Sequence, residues 1–91
     1  MKILTSQSLG EALRYHRRRS GLSQHALANL AGIGKTSVFD IEKGKSTVRL
    51  ATLMAVLRVL NVDLILDGPL MAECRANLDA ERRNAGGVSE P

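Results

Sequence analysis

The side chains best placed to do chemistry lie in one stretch, Lys35-Thr-Ser-Val-Phe-Asp-Ile-Glu-Lys-Gly-Lys45. Val38 and Ile41 are spaced as the inward stripe of a short helix, so Lys35, Thr36, Phe39, Asp40 and Lys43 fall on its outer side. That row holds cations, a hydroxyl beside a methyl, a ring and a carboxylate. Such groups exchange hydrogen bonds and touch methyl groups, but they form no reaction centre. None is evident elsewhere. The histidines, His16 and His25, and the one cysteine, Cys74, make no nucleophile–base arrangement, and no carboxylates are paired for acid–base work. Zinc-ligand spacing is missing too. The expectation is a binding protein with no catalytic residues, no metal and no cofactor.

The outward row needs elements to hold it. Helix 1 is expected to start within residues 5–8, with Ser8-Leu-Gly-Glu11 as a capping box. Leu9, Ala12, Leu13 and His16 share one of its faces. Arg14, Arg17, Arg18 and Arg19 crowd its end, where positive charge suits the helix dipole, and Ser20-Gly21 stops it. Ser23 is a good N-cap for helix 2, which runs to about Ala31 with Leu27, Ala28 and Ala31 inward. Gly32-Ile33-Gly34 makes a tight turn, with Ile33 plugging the core. Helix 3 then covers about Lys35–Lys43, and Gly44 ends it. Two short helices joined by a glycine turn, a polar outer face on the second, and a basic loop after it have the layout of a helix-turn-helix. That motif lays its second helix in the major groove of DNA.

Helix 4 begins within residues 47–50 and reaches Leu60. Leu50, Leu53, Met54, Val56, Leu57, Val59 and Leu60 make it apolar on more than one side, so one side is expected to meet another subunit. Asn61 breaks the pattern. Val62-Asp-Leu-Ile-Leu-Asp67 reads as a strand with Val62, Leu64 and Leu66 on one face, ended by Gly68-Pro69. Residues 70–84 are helix material, with Leu70, Cys74 and Leu78 in one stripe, and residues 86–91 are expected to be disordered. Residues 1–5 are a short arm or strand. The reading is one DNA-binding and dimerisation domain over 1–69 and a partly helical tail over 70–91.

Composition supports this layout. Ninety-one residues make one small domain, and with aromatics at 2% (Tyr15 and Phe39) the core must be aliphatic. Stacking platforms for single-stranded nucleic acid are therefore scarce, which favours duplex DNA. The net charge is +4. Residues 1–69 hold ten Lys/Arg against five Asp/Glu, whereas residues 70–91 hold three against four. A basic body suits a polyanion, and the tail suits a different task. One cysteine allows no internal disulfide and fits a reducing compartment. The start carries no signal-like apolar run, and no stretch has membrane-spanning length. A cytoplasmic protein is expected.

Gly21-Leu-Ser-Gln-x-x-Leu-Ala, then Ala-Gly-Ile, then Val38-x-x-Ile-Glu-x-Gly-Lys resembles the Cro/C1-type (XRE) helix-turn-helix family, over about Leu9–Leu60. The resemblance implies an all-α, lambda-repressor-like fold of four helices, here followed by a short dimerising β-strand. It also implies that Lys35, Thr36, Phe39 and Asp40 face base edges. Lysine can donate to guanine, threonine offers a methyl or a hydroxyl, and aspartate accepts from cytosine N4. Two alternatives stay open. Asp40 either reads cytosine or pairs with a nearby cation, and Phe39 either touches a thymine methyl or folds back over helix 2. Ser23 and Gln24 at the start of helix 2, with Lys43, Lys45 and Ser46 in the loop, fall where the family meets phosphates. Arg17 and Glu42 correspond to a partly buried salt bridge of structural role, and Arg18 and Arg19 read as a solvated face.

From Val59-Leu-Asn-Val the chain enters the strand directly, where most of this family continue into a fifth helix. That ending resembles the HipB-type antitoxins, dimeric operator-binding repressors that pair with a HipA-type kinase toxin. The resemblance implies a homodimer on a palindromic operator, made through Val62, Leu64 and Leu66, and a kinase toxin as second partner. A stand-alone or phage-type repressor is the alternative within DNA binding. From another class, the alternative is a protein-interaction module that has lost DNA binding.

Overall fold

The computed structural model describes residues 1–85. They form five helices: α1 (Ser6–Arg19), α2 (Gln24–Ala31), α3 (Lys35–Glu42), α4 (Leu50–Leu60) and α5 (Met71–Ala85). The first four enclose one aliphatic core. Leu13 comes from α1, Leu27 and Ala28 from α2, Val38 and Ile41 from α3, and Val56, Leu57 and Leu60 from α4. Leu9, Leu22, Ile33, Val48 and Val59 pack around it. The two aromatic residues stay outside, Tyr15 and Phe39 both being exposed.

The helix ends follow from local chemistry. Thr5 caps α1, its hydroxyl accepting from the Ser8 N–H at 3.0 Å. Ser8 thus lies inside the first turn, and Ser8–Glu11 is not a capping box. A threonine three residues upstream already satisfies the amide that such a box would use. His16 also departs from expectation. It is exposed rather than on the inner face, and its Nδ1 lies 2.7 Å from the Ala12 carbonyl oxygen. Ser23 caps α2 through the Ala26 N–H at 3.0 Å. Gly32 ends α2 with φ 71°, a conformation that costs glycine nothing, and the turn closes as the Ile33 N–H donates to Ala28 O.

After α4 the chain differs from the sequence reading. Residues 62–68 carry no regular secondary structure, and no strand forms among the described residues. The alternation of Val62, Leu64 and Leu66 specifies a face, but a strand exists only as one side of a hydrogen-bonded ladder, and a single chain with no other strand supplies no second side. Val62 is half-buried, while Leu64, Ile65 and Leu66 are 58, 81 and 79% exposed. Leu50 and Met54 leave part of α4 open as well. Helix α5 supplies nothing to the core or its surrounding shell. The expected disorder over residues 86–91 lies outside the described residues.

One close contact was not legible in the sequence. Gly10 is buried in mid-α1, against the end of α3. A Cβ there would overlap the Ile41 carbonyl oxygen and sit 2.9 Å from that of Glu42. The two helices meet backbone to backbone at this point. Alanine in an exposed helix would stabilise by about 0.5–1 kcal/mol relative to glycine, but here α3 must move. Gly10→Ala is expected to destabilise the domain by about 1–3 kcal/mol, as overpacking does. Urea unfolding followed by circular dichroism measures it, and an unchanged or raised midpoint would contradict the close approach.

Candidate nucleic-acid interface

Buried Val38 and Ile41 fix the rotation of α3 about its axis, which turns the expected reading row to solvent. Lys35 and Thr36 are exposed on its first turn, Phe39 is 45% exposed, and the Asp40 side chain is 27% exposed. Both open alternatives take a definite form. The Lys43 ammonium stands 5.5 Å from the centre of the Phe39 ring, within cation–π range. The ring therefore remains at the surface under a cation. The Asp40 Oδ2 lies 3.4 Å from Lys45 Nζ, so its carboxylate is paired within the protein. A surface pair of this kind contributes at most about 1 kcal/mol, and a phosphate can displace the carboxylate.

The basic loop is anchored rather than free. Gly44 has φ 83°, and a Cβ at that position would stand 2.7 Å from Gln7 Cα. Glycine is therefore required twice over, by conformation and by space. Ser6 Oγ donates to the Gly44 carbonyl at 2.8 Å, and the Lys45 N–H donates to Asp40 O at 3.0 Å. These bonds hold exposed Lys43, Lys45 and Ser46 beside the end of α3.

Behind the surface lies the expected ion pair. Arg17 Nε donates to Glu42 Oε2 at 2.6 Å, and Nη2 donates to Oε1 at 3.0 Å, a two-pronged contact. The side chains are 12 and 5% exposed. Nη1 of the same guanidinium donates to Leu22 O at 2.9 Å. Gln24, which the family resemblance also packs against the recognition helix, is a further member: its Nε2 donates to Glu42 Oε1 at 3.1 Å, so this glutamine belongs to the partly buried network. Its second amide proton and its carbonyl oxygen remain for an outside ligand. The helical register of Gln24 with Leu27-Ala28 hinted at an inward lean, but only the docking of α3 brings Glu42 to it. The Ser23 hydroxyl accepts from Ala26 N–H and keeps its own proton to donate. Among the described residues, every buried side-chain nitrogen and oxygen has a partner, and no three His, Cys, Asp or Glu side chains converge as metal ligands do. No helix there is long and apolar enough to cross a membrane.

A two-helix motif with a solvent-facing second helix, flanked by lysines and braced by a partly buried ion pair, defines a DNA-binding helix-turn-helix. The family's sequence profile matches residues 13–66. An uncharacterized HTH-type transcriptional regulator of Sinorhizobium fredii, y4mF, is 32% identical over 69 residues, covering 74% of this chain and 91% of that protein. The chain belongs to the helix-turn-helix family and is a DNA-binding transcriptional regulator of the XRE type. Among solved structures, HipB in its complex with the O4 20mer superposes with a TM-score of 0.70 at 25% identity, over 76% of this chain and 97% of that one. A chain from the HipA-HipB-O2-O3 complex gives the same values. The restriction-modification controller protein C.AhdI from Aeromonas hydrophila matches at 31% identity with a TM-score of 0.59, over 64% of this chain and 88% of its own.

The network behind α3 makes a stability prediction. Glu42→Ala leaves the Arg17 guanidinium largely buried without its carboxylate and should cost about 3–5 kcal/mol. Gln24→Ala removes one hydrogen bond and should cost about 0.5–1.5 kcal/mol. Replacing both charges together, Arg17→Met with Glu42→Leu, should recover most of the loss. Urea denaturation of the variants decides; a Glu42→Ala protein as stable as the parent would remove the ion pair from its structural role.

Proposed function

We propose that this regulator is a dimeric operator-binding repressor of the HipB antitoxin type, repressing its own operon and binding a HipA-type kinase toxin. The observation that carries the reading is the likeness to HipB, which extends over 97% of the HipB chain. The exposed run Leu64-Ile65-Leu66 supports it. So short a segment is not stable as a lone strand. Antiparallel pairing of Val62–Leu66 with the same segment of a second copy would complete the ladder and cover Leu64 and Leu66. Two recognition helices would then stand about 34 Å apart, one helical turn of a palindrome.

In this reading Lys35 donates to guanine, Thr36 contacts a neighbouring base, and Phe39 meets a thymine methyl. Asp40 accepts from cytosine once Lys45 turns to a phosphate. Ser23, Gln24, Lys43, Lys45 and Ser46 hold the backbone. Residues 70–91 carry the second partner. A stand-alone repressor without a toxin is the second reading, favoured by the higher identity to the controller protein C.AhdI.

Three experiments test this. In gel shifts on operator and scrambled duplex, Lys35→Ala and Thr36→Ala should each cost about 1–3 kcal/mol on the operator and little on scrambled DNA. Lys45→Ala should weaken both alike and lower the salt slope by about one. Asp40→Asn should tighten scrambled binding and narrow the discrimination, because a carboxylate near phosphates is lost. Equal losses on both DNAs for Lys35→Ala would remove α3 as the reader. For assembly, Leu64→Lys should sediment as a monomer and lose tight operator binding; a dimer persisting at micromolar concentration overturns the strand pairing. Co-expression with the neighbouring gene product should yield a complex that removal of residues 70–91 weakens more than it weakens operator binding. Absence of any such complex favours the stand-alone repressor.

A further inference from the structure

Ser6, Gln7 and Gly10 share one side of α1, three and four residues apart, and that side follows the end of α3. Gly10 meets the carbonyl oxygens of Ile41 and Glu42. One turn earlier Gln7 backs onto Gly44, and the Ser6 hydroxyl donates to the Gly44 carbonyl oxygen at 2.8 Å. The end of α3 is otherwise held from within. The Gly44 N–H donates to Ile41 O and the Lys45 N–H to Asp40 O, both at 3.0 Å, with Gly44 left-handed at φ 83°. That is the Schellman arrangement, which engages the amides of Gly44 and Lys45. It gives the Gly44 carbonyl no partner inside the helix, and Ser6 supplies one. Both polar ends of the peptide joining Gly44 to Lys45 are therefore tied, the N–H to α3 and the carbonyl to α1. A peptide unit is planar, so two such ties fix its orientation and with it the place of Lys45 Cα.

We propose that Ser6 is a positioning residue for DNA binding: its hydroxyl fixes the Gly44–Lys45 peptide, so that Lys45 reaches a phosphate from a backbone already in place. The inference rests on the reading of Lys45 as a phosphate contact, and it assigns Ser6 no contact with DNA of its own. The Lys45 side chain is 56% exposed, and its ammonium lies 3.4 Å from the Asp40 carboxylate, a weak surface pair. Most of the placement of this cation therefore comes from its backbone. A loop ordered beforehand loses less freedom when DNA binds, and the difference appears as affinity. The hydroxyl of an exposed serine is free to bond water. Here it bonds a carbonyl 38 residues away in sequence, and the close approach of Gln7 to Gly44 holds that carbonyl within its reach.

The test uses the full chain and a fluorescein-labelled random-sequence duplex at near-physiological salt, read by fluorescence anisotropy at a temperature where circular dichroism shows every variant folded. Ser6→Ala should weaken the duplex about three- to tenfold, the scale of ordering freed groups at an interface. Ser6→Thr keeps a hydroxyl on the same carbon and should stay within about twofold of the parent, since the bond to Gly44 is retained. In a Lys45→Ala background the loss from Ser6→Ala should shrink below about twofold, because the two residues act as one unit. A role confined to stability would leave duplex affinity of the folded protein unchanged. The proposal alone is overturned if Lys45→Ala weakens the duplex but Ser6→Ala does not, if Ser6→Thr loses as much as Ser6→Ala, or if the losses from Ser6→Ala and Lys45→Ala simply add. If Lys45→Ala itself leaves duplex affinity unchanged, the phosphate role of Lys45 is overturned and this inference with it.

Discussion

The contact on which the rest of the structure depends is the Arg17–Glu42 ion pair. Arg17 sits near the end of α1, and Glu42 is the last residue of α3. One guanidinium spans them, reaches back to the Leu22 carbonyl before α2, and shares the carboxylate with Gln24 on α2. Three helices are thus referred to one carboxylate. At this depth every donor and acceptor needs a partner, because an unpaired charge is far more costly than an unpaired surface group. The aliphatic core around it supplies most of the driving force, but apolar contact has little directionality. The ion pair and the backbone contact at Gly10 supply the orientation that the core cannot.

That orientation has a consequence for DNA reading. Gln24 sits at the first turn of α2, where backbone N–H groups suit an anion, and its amide is already held by Glu42. Two of the surface cations are held as well, Lys43 over Phe39 and Lys45 beside Asp40. These last two contacts are weak and exposed. They limit the wandering of long side chains, and they are weak enough for a competing anion to displace. Strong, partly buried bonds set the helix angles, and weak exposed ones restrain two surface cations.

The C-terminal third follows a different physical rule. Leu64, Ile65 and Leu66 lie open to water, as do Leu70 just before α5 and Leu78 within it. Large apolar side chains left open in this way are what a partner chain would cover. The four-helix core is closed without them.

The four core helices and the row on α3 were legible in the sequence, because they rest on local signals. Helical spacing picked out Leu13, Leu27, Val38, Ile41 and Leu57, and cap and turn chemistry placed Ser23, Gly32 and Gly44. The motif resemblance also paired Arg17 with Glu42. Other features were settled by competition within α1 or by elements distant in the chain. Thr5 displaced the expected capping box by local competition for one amide, and His16 turned outward because Gly10 and Leu13 set the buried face. The burial of Gly10, the bond from Gln24 to Glu42, and the pairing of Asp40 with Lys45 were decided when α1, α2, α3 and the loop docked. A periodic pattern states which side of a helix faces inward. The angle and distance at which two helices meet are set by packing. For residues 62–67 the alternation alone defines an apolar face; a strand needs a partner outside the single chain, since its hydrogen bonds are between strands.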